Sequence, residues 1–143
     1  METKKVYLKQ VKGLTFAAKG ESNHWITLDG PENFGGSNAG ARPKELLLMA
    51  LAGCTGSDVV SILQKKKVNL TDFEINITAQ QTEEHPKYYN KIHLKYIFKG
   101  KTKQLDEHSE SINTLKLNKV DTKRFIHEIN LLRIDIENTK KYI

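Results

Sequence analysis

The sequence predicts an α+β domain on three observations: short β-rich runs bunched before residue 30, one long apolar stretch of helix-forming content, and two alternating runs after it. At 143 residues the chain fits a single domain, residues 1–143, with one core.

Residues 6–12, 14–18 and 25–29 are β-rich and punctuated by Gly13, Gly20 and Gly30, the pattern of a three-stranded antiparallel meander. Residues 30–41 are rich in turn formers and have no periodicity, which predicts a loop. Pro43 suits a first helical turn, and residues 44–67 are predicted to form one long helix with the basic run Lys65-Lys66-Lys67 favourably placed at its C-terminal end. From Leu46 to Cys54 this helix is apolar on every side, so burial is expected against a sheet and a neighbour, a second subunit included. Gly53 and Gly56 lower its helix propensity and permit close backbone approach, for packing or for function. Residues 70–82 alternate through Phe73, Ile75 and Ile77, and residues 88–99 through Ile92, Leu94, Tyr96 and Phe98. Glu83-Glu84-His85-Pro86 marks the turn between these two strands. Beyond Gly100 the pattern predicts a polar helix around residues 105–117 and a strand at 131–136.

Composition removes several function classes. The net charge of +6 is spread, with 9 Lys/Arg against 7 Asp/Glu in residues 101–143. Only Arg42, Arg124 and Arg133 are arginines, although arginine is favoured for bidentate phosphate and base contacts, so no nucleic-acid partner is expected. No run approaches the roughly 18 uninterrupted apolar residues of a membrane span, and Met1-Glu2-Thr3-Lys4-Lys5 leads into no secretory signal. A cytoplasmic protein without membrane partners is expected. His85, His93, His108 and His127 lie in different elements without i,i+3 or i,i+4 pairing, so neither a metal nor another cofactor is expected. The stretch Gly35-Gly36-Ser37-Asn38-Ala39-Gly40 lacks the Lys-Ser/Thr ending of a phosphate loop.

Cys54 is the sole cysteine, which excludes an intrachain disulfide and leaves any thiol chemistry to one sulfur. A free cysteine in an apolar helix is either an inert, buried small hydrophobe or a reactive thiol. The small neighbours Gly53, Thr55 and Gly56 would let another chain or a substrate approach the sulfur. Helical geometry sorts the nearby side chains. Glu45, nine positions upstream, falls about 180° away and ~13 Å along the axis from Cys54, beyond contact within one straight helix. Ser57 and Asp58 share the Cys54 face, and an ionised Asp58 opposes thiolate formation. An activating cation must therefore come from elsewhere, with Arg42, His24 and Lys19 as candidates.

Several runs resemble the OsmC/Ohr family of osmotically inducible and organic hydroperoxide resistance proteins. They are Gly13-Leu14-Thr15-Phe16, Leu28-Asp29-Gly30 and, above all, the stretch from Arg42-Pro43-Lys44-Glu45-Leu46-Leu47 through Gly53-Cys54-Thr55-Gly56 to Val60. Glu84-His85-Pro86 and Ile92-His93-Leu94 extend the likeness over residues 6–100. The resemblance implies an intertwined homodimer, with antiparallel sheets wrapped around long central helices. It also implies reduction of organic hydroperoxides through a helix cysteine that becomes a sulfenic acid and then pairs with a second cysteine, the disulfide being reduced by an external dithiol. On this likeness Cys54 is the peroxidatic residue, and Glu45 and Arg42 are the other catalytic candidates. The sequence departs from the pattern in three places. Residues 117–121 carry Asp121 where the second thiol is expected, and no resolving cysteine exists. Glu45 stands one place later than in the strict peroxidases, as in the OsmC-like branch, and the arginine of the N-terminal strands has no counterpart before Arg42. Two functions follow: a one-cysteine peroxidase of oxidative stress defence that draws on an external thiol reductant, or an inactive dimer that binds a hydrophobic small molecule between its subunits.

Overall fold

In the computed structural model the N-terminal runs form β1 (Tyr7–Lys12), β2 (Thr15–Lys19) and β3 (Trp25–Leu28), paired antiparallel in the order β1-β2-β3. The structure describes residues 2–100 and, as backbone, residues 133–142. Gly13, at φ 54°, makes the left-handed step that closes the β1–β2 turn. A short 3-10 turn, Glu32–Phe34, interrupts the loop expected at 30–41. Then come α1 (Pro43–Lys65), β4 (Leu70–Gln81), β5 (Tyr89–Gly100) and β6 (Arg133–Tyr142).

The helix stops two residues before the expected end. Lys67 adopts φ 57°, its N–H bonds Gln64 O at 2.9 Å, and Val68 N–H bonds Leu63 O at 3.0 Å. That pair of bonds is a Schellman cap, here closed by a lysine where glycine is usual. Buried Val68 supplies the apolar residue that accompanies such a cap.

The second sheet has the order β4-β5-β6 and is mixed. β4 and β5 pair antiparallel, whereas β6 runs parallel to β5 with Ile92 opposite Ile134 and Leu94 opposite Ile136. A parallel return needs a crossover of a dozen or more residues, and residues 101–132 provide that length. The strand expected at 131–136 is thus observed from Arg133 and runs on to Tyr142. The helix expected at 105–117, together with residues 117–121, His108, His127 and Arg124, lies outside the described residues.

The chain divides into two compact units, residues 1–50 and 51–143. In the second, register places Phe73 opposite Phe98, Ile75 opposite Tyr96 and Ile77 opposite Leu94, so one face of the β4–β5 ribbon is continuously apolar. Phe73 and Phe98 stack at 5.1 Å between ring centroids. Leu51, Thr55, Gly56, Val59 and Leu63 form the buried stripe of α1. A Cβ on Gly56 would sit 2.8 Å from Ile75 Cδ1, so the missing side chain is what lets the helix lie this close to β4. In the first unit β2 carries the buried Ala18, while every residue of β1 is exposed.

The all-round burial expected for residues 46–54 is not met among the described residues. Leu51 is buried and Leu46, Leu47 and Leu48 are half-buried, but Met49, Ala50, Gly53 and Cys54 are exposed. By length and composition α1 is apolar enough to cross a bilayer, which the absence of an uninterrupted 18-residue apolar run in the sequence did not anticipate.

Candidate active site

The start of α1 is built from the loop before it. Arg42 precedes Pro43, whose fixed φ and missing N–H suit the first helical position. Glu45 reaches back, accepting from the Arg42 backbone N–H through Oε2 at 3.0 Å and from Arg42 Nη1 through Oε1 at 3.2 Å. The first contact is half of a capping box, the third helical residue satisfying an orphan donor at the cap. The second is an ion pair between half-exposed side chains, so it orients more than it stabilises. Arg42 Nη2 also faces Asn38 Oδ1 at 3.5 Å.

The same loop holds a buried carboxylate, Asp29, that is not among the candidates read from the sequence. Asp29 is 1% exposed. Its Oδ2 accepts from Thr15 Oγ1 at 3.0 Å and from the N–H groups of Ser37 and Ala39, both at 3.1 Å, and its Oδ1 accepts from Gly30 N–H at 2.7 Å. Burial works against the charge, but the hydrogen bonds from Ala39, Gly30, Thr15 and Ser37 outweigh it and hold the carboxyl below the usual aspartate range. The signal available in the sequence is an acid ending an apolar strand, followed by a glycine-rich loop with many N–H groups to satisfy.

Cys54 sits two and a half turns beyond Glu45 along α1, which puts the two on opposite faces of the helix. Its thiol is exposed, and the space where a Gly53 side chain would stand is open. The two glycines therefore differ: among the described residues Gly56 lies against Ile75, and nothing lies against Gly53. Ser57 Oγ donates to Gly53 O at 2.8 Å, which turns that hydroxyl toward the backbone. Asp58 is exposed on the same side as Cys54. On the buried side, Thr55 Oγ1 donates to Leu51 O at 2.9 Å. Tyr96 presents there a buried hydroxyl that has no partner among the described residues. Burial pushes that phenol up, the Thr55 hydroxyl beside it offsets part of the rise, and the charge of Asp58 adds to it.

Of the three cations named from sequence, Arg42 is engaged by Glu45 and Asn38. Lys19 is engaged too, its ammonium lying 4.9 Å from the centroid of the Trp25 ring and donating to Asn23 Oδ1 at 2.7 Å. His24 lies exposed in the β2–β3 turn. Thus Arg42 and Glu45 come together, and Cys54 stands on another face of the helix.

Comparison with known proteins bears on this arrangement. The family described as OsmC-like protein matches residues 35–117, a stretch that contains both Arg42–Glu45 and Cys54. Protein YhfA of Escherichia coli K12 is 39% identical over 97 residues, covering 66% of this chain and 67% of that protein. Among solved structures, a hypothetical protein from Aquifex aeolicus VF5 is similar at 29% identity with a TM-score of 0.71, covering 99% of both chains. An organic hydroperoxide resistance protein OsmC from Legionella pneumophila shares the fold at 13% identity and a TM-score of 0.66, with 97% of this chain and 98% of that one covered.

Proposed function

Because the chain belongs to the OsmC-like protein family, we propose that it is a homodimeric, thiol-dependent hydroperoxide reductase with Cys54 as its single attacking sulfur. The observation that carries this reading is the exposed thiol on α1 beside the open space at Gly53. The fold shared with an organic hydroperoxide resistance protein supports the substrate class. In the reaction, the Cys54 thiolate attacks one oxygen of ROOH, the O–O bond breaks, and the departing alkoxide is protonated to ROH while sulfur is oxidised to sulfenic acid. With no second cysteine in the chain, an external thiol forms a mixed disulfide and releases water, and a second thiol restores Cys54. Such reductants are abundant in a reducing compartment, so the protein acts in the cytoplasm.

Arg42 is the cation of this site and Glu45 orients it. Since Glu45 and Cys54 occupy opposite faces of one helix, each site is completed by the Arg42–Glu45 pair of a second copy. The exposed Met49 and Ala50 give that copy an apolar surface to cover.

The test is stopped-flow oxidation of Cys54 by an organic hydroperoxide and by hydrogen peroxide, with mass spectrometry of the thiol-treated product. Fast oxidation preferring the organic peroxide, one adduct per chain and loss of both in Cys54→Ser are expected. Mixed dimers of Cys54→Ser and Arg42→Lys chains should regain activity that neither variant has alone. Oxidation no faster than that of free cysteine overturns the reading. It would favour the second one, a non-catalytic dimer that binds a hydrophobic small molecule, for which the missing second cysteine already speaks.

A further inference from the structure

We propose that Asp29 and Asn38 are positioning residues that fix the orientation of the Arg42 guanidinium. This deepens the reading above, since it matters for chemistry only if Arg42 serves the reacting site. An ionised carboxylate that is 1% exposed is expensive to bury unless its oxygens are fully engaged. Asp29 has four donors, and two of them, the N–H groups of Ser37 and Ala39, flank a single residue, Asn38. The N–H of Asn38 itself bonds Gly30 O at 3.2 Å, so three successive backbone N–H groups are pinned. Asn38 stands at φ 51°, a left-handed conformation that asparagine tolerates better than most residues. Its side chain is thereby aimed, with Oδ1 facing Arg42 Nη2 at 3.5 Å while Glu45 Oε1 holds Nη1 at 3.2 Å. The guanidinium is planar, so contacts on two of its nitrogens define its plane.

Loop packing makes the arrangement rigid. A Cβ on Gly36 would lie 2.1 Å from Gly30 O, and one on Gly40 would lie 2.5 Å from Thr27 O, so the loop backbone is laid directly on the strand end it follows. Ala41 N–H bonds Thr27 O and Asp29 N–H bonds Ala41 O, both at 3.1 Å, which carries the same registration to the residue before Arg42. A role for Asp29 in loop folding alone would need none of the Asn38–Arg42 contact, and that difference makes the proposal testable.

The decisive variant is Asn38→Gly, which keeps the left-handed backbone accessible and removes the side-chain acceptor. Asn38→Asp keeps an oxygen in place, and Asp29→Asn sets an amide nitrogen against either the Gly30 N–H or the three donors gathered on the other oxygen. The chain has three arginines, so guanidinium resonances in an arginine-labelled dimer are assigned by comparison with Arg42→Lys. We expect a resolved, slowly rotating Arg42 guanidinium in the parent and in Asn38→Asp, and an averaged one in Asn38→Gly and Asp29→Asn. The rate of Cys54 oxidation should fall about tenfold in Asn38→Gly, with no further fall in the Arg42→Lys background. An Arg42 signal unchanged in Asn38→Gly overturns the proposal and leaves Asp29 a loop-folding residue. A signal that collapses without any change in oxidation rate upholds the positioning and instead overturns the catalytic part given to Arg42.

Discussion

The two three-stranded sheets start from similar material and end differently. In β5, Ile92, Leu94, Tyr96 and Phe98 occupy every second position and are all buried, as is Ile97 between the last two, whereas β1 carries Tyr7, Leu8 and Val11 with no residue buried at all. Within its own unit the second sheet has the stripe of α1 to cover its apolar face; the first unit has no comparable covering element. Val6 is 78% exposed and Leu8 52%, while Leu94 is 0%. Alternation in a sequence thus announces that a face wants covering, and leaves open whether the cover is the same chain or another one.

The largest expected effect tests that contrast directly. Leu94→Ala should cost ~2–5 kcal/mol of protomer stability, as for other fully buried leucines. Leu8→Glu should cost within ~0.5 kcal/mol, as an exposed substitution does, and weaken self-association instead. Denaturant melts and sedimentation at several concentrations separate the two quantities. If Leu8→Glu unfolds the protomer as Leu94→Ala does, the two sheets are alike and the contrast is broken.

The same contrast sorts what could be read in advance. The three N-terminal strands, α1, β4 and β5 follow from periodicity and glycine punctuation, because those are local properties. The parallel direction of β6 does not, since alternation reads the same in either direction along a strand. The approach of Glu45 to Arg42 follows from their i,i+3 spacing across Pro43. Exposure of Cys54 does not follow, because an apolar run looks the same whether its own sheet or a second subunit covers it. The Asp29 cluster was hidden for another reason: its partners Thr15, Ser37 and Ala39 are brought to it by chain reversals.

A smaller effect, of opposite sign at two sites, separates the covered and uncovered sides of α1. Gly53→Ala should raise stability by ~0.5–1 kcal/mol through helix propensity, since no described residue lies within reach of the added methyl. At Gly56 the same gain meets a clash with Ile75 Cδ1, the end of a half-buried side chain, and overpacking costs ~1–3 kcal/mol. Melting temperatures should therefore rise in one variant and fall in the other. Equal rises would mean that the helix does not press on β4 at Gly56.

Next comes acid sensitivity confined to the first unit. The folded-state pKa of Asp29 is depressed, so its contribution is complete at neutral pH, where the carboxylate is ionised in both folded and unfolded chains. It is lost only as pH falls below the ordinary aspartate range and through the lower folded value. Amide exchange, corrected for its intrinsic pH dependence, should show Ser37 and Ala39 losing protection in that window before the amides of β5 do. In Asp29→Ala, which removes both acceptor oxygens, those two amides should be unprotected already at neutral pH. Simultaneous loss in the loop and in β5 would show that the two units open together.

The smallest effect expected is electrostatic and lies on the uncovered side of α1. Asp58 is four residues beyond Cys54, hence one turn along the same face, and both side chains are exposed. Like charge opposes thiolate formation, but water screens an exposed pair strongly, so the interaction is small. Asp58→Asn should speed alkylation of Cys54 by iodoacetamide at neutral pH by about twofold, and less in high salt. Iodoacetamide is uncharged, so the change reports on the sulfur and not on attraction of the reagent. A slower reaction in a folded variant would mean that Asp58 holds a cation that serves the thiol. An unchanged rate would mean that the carboxylate is turned from the sulfur or fully screened. Sharing a helix face one turn apart would then not be enough for the Asp58 charge to reach the sulfur.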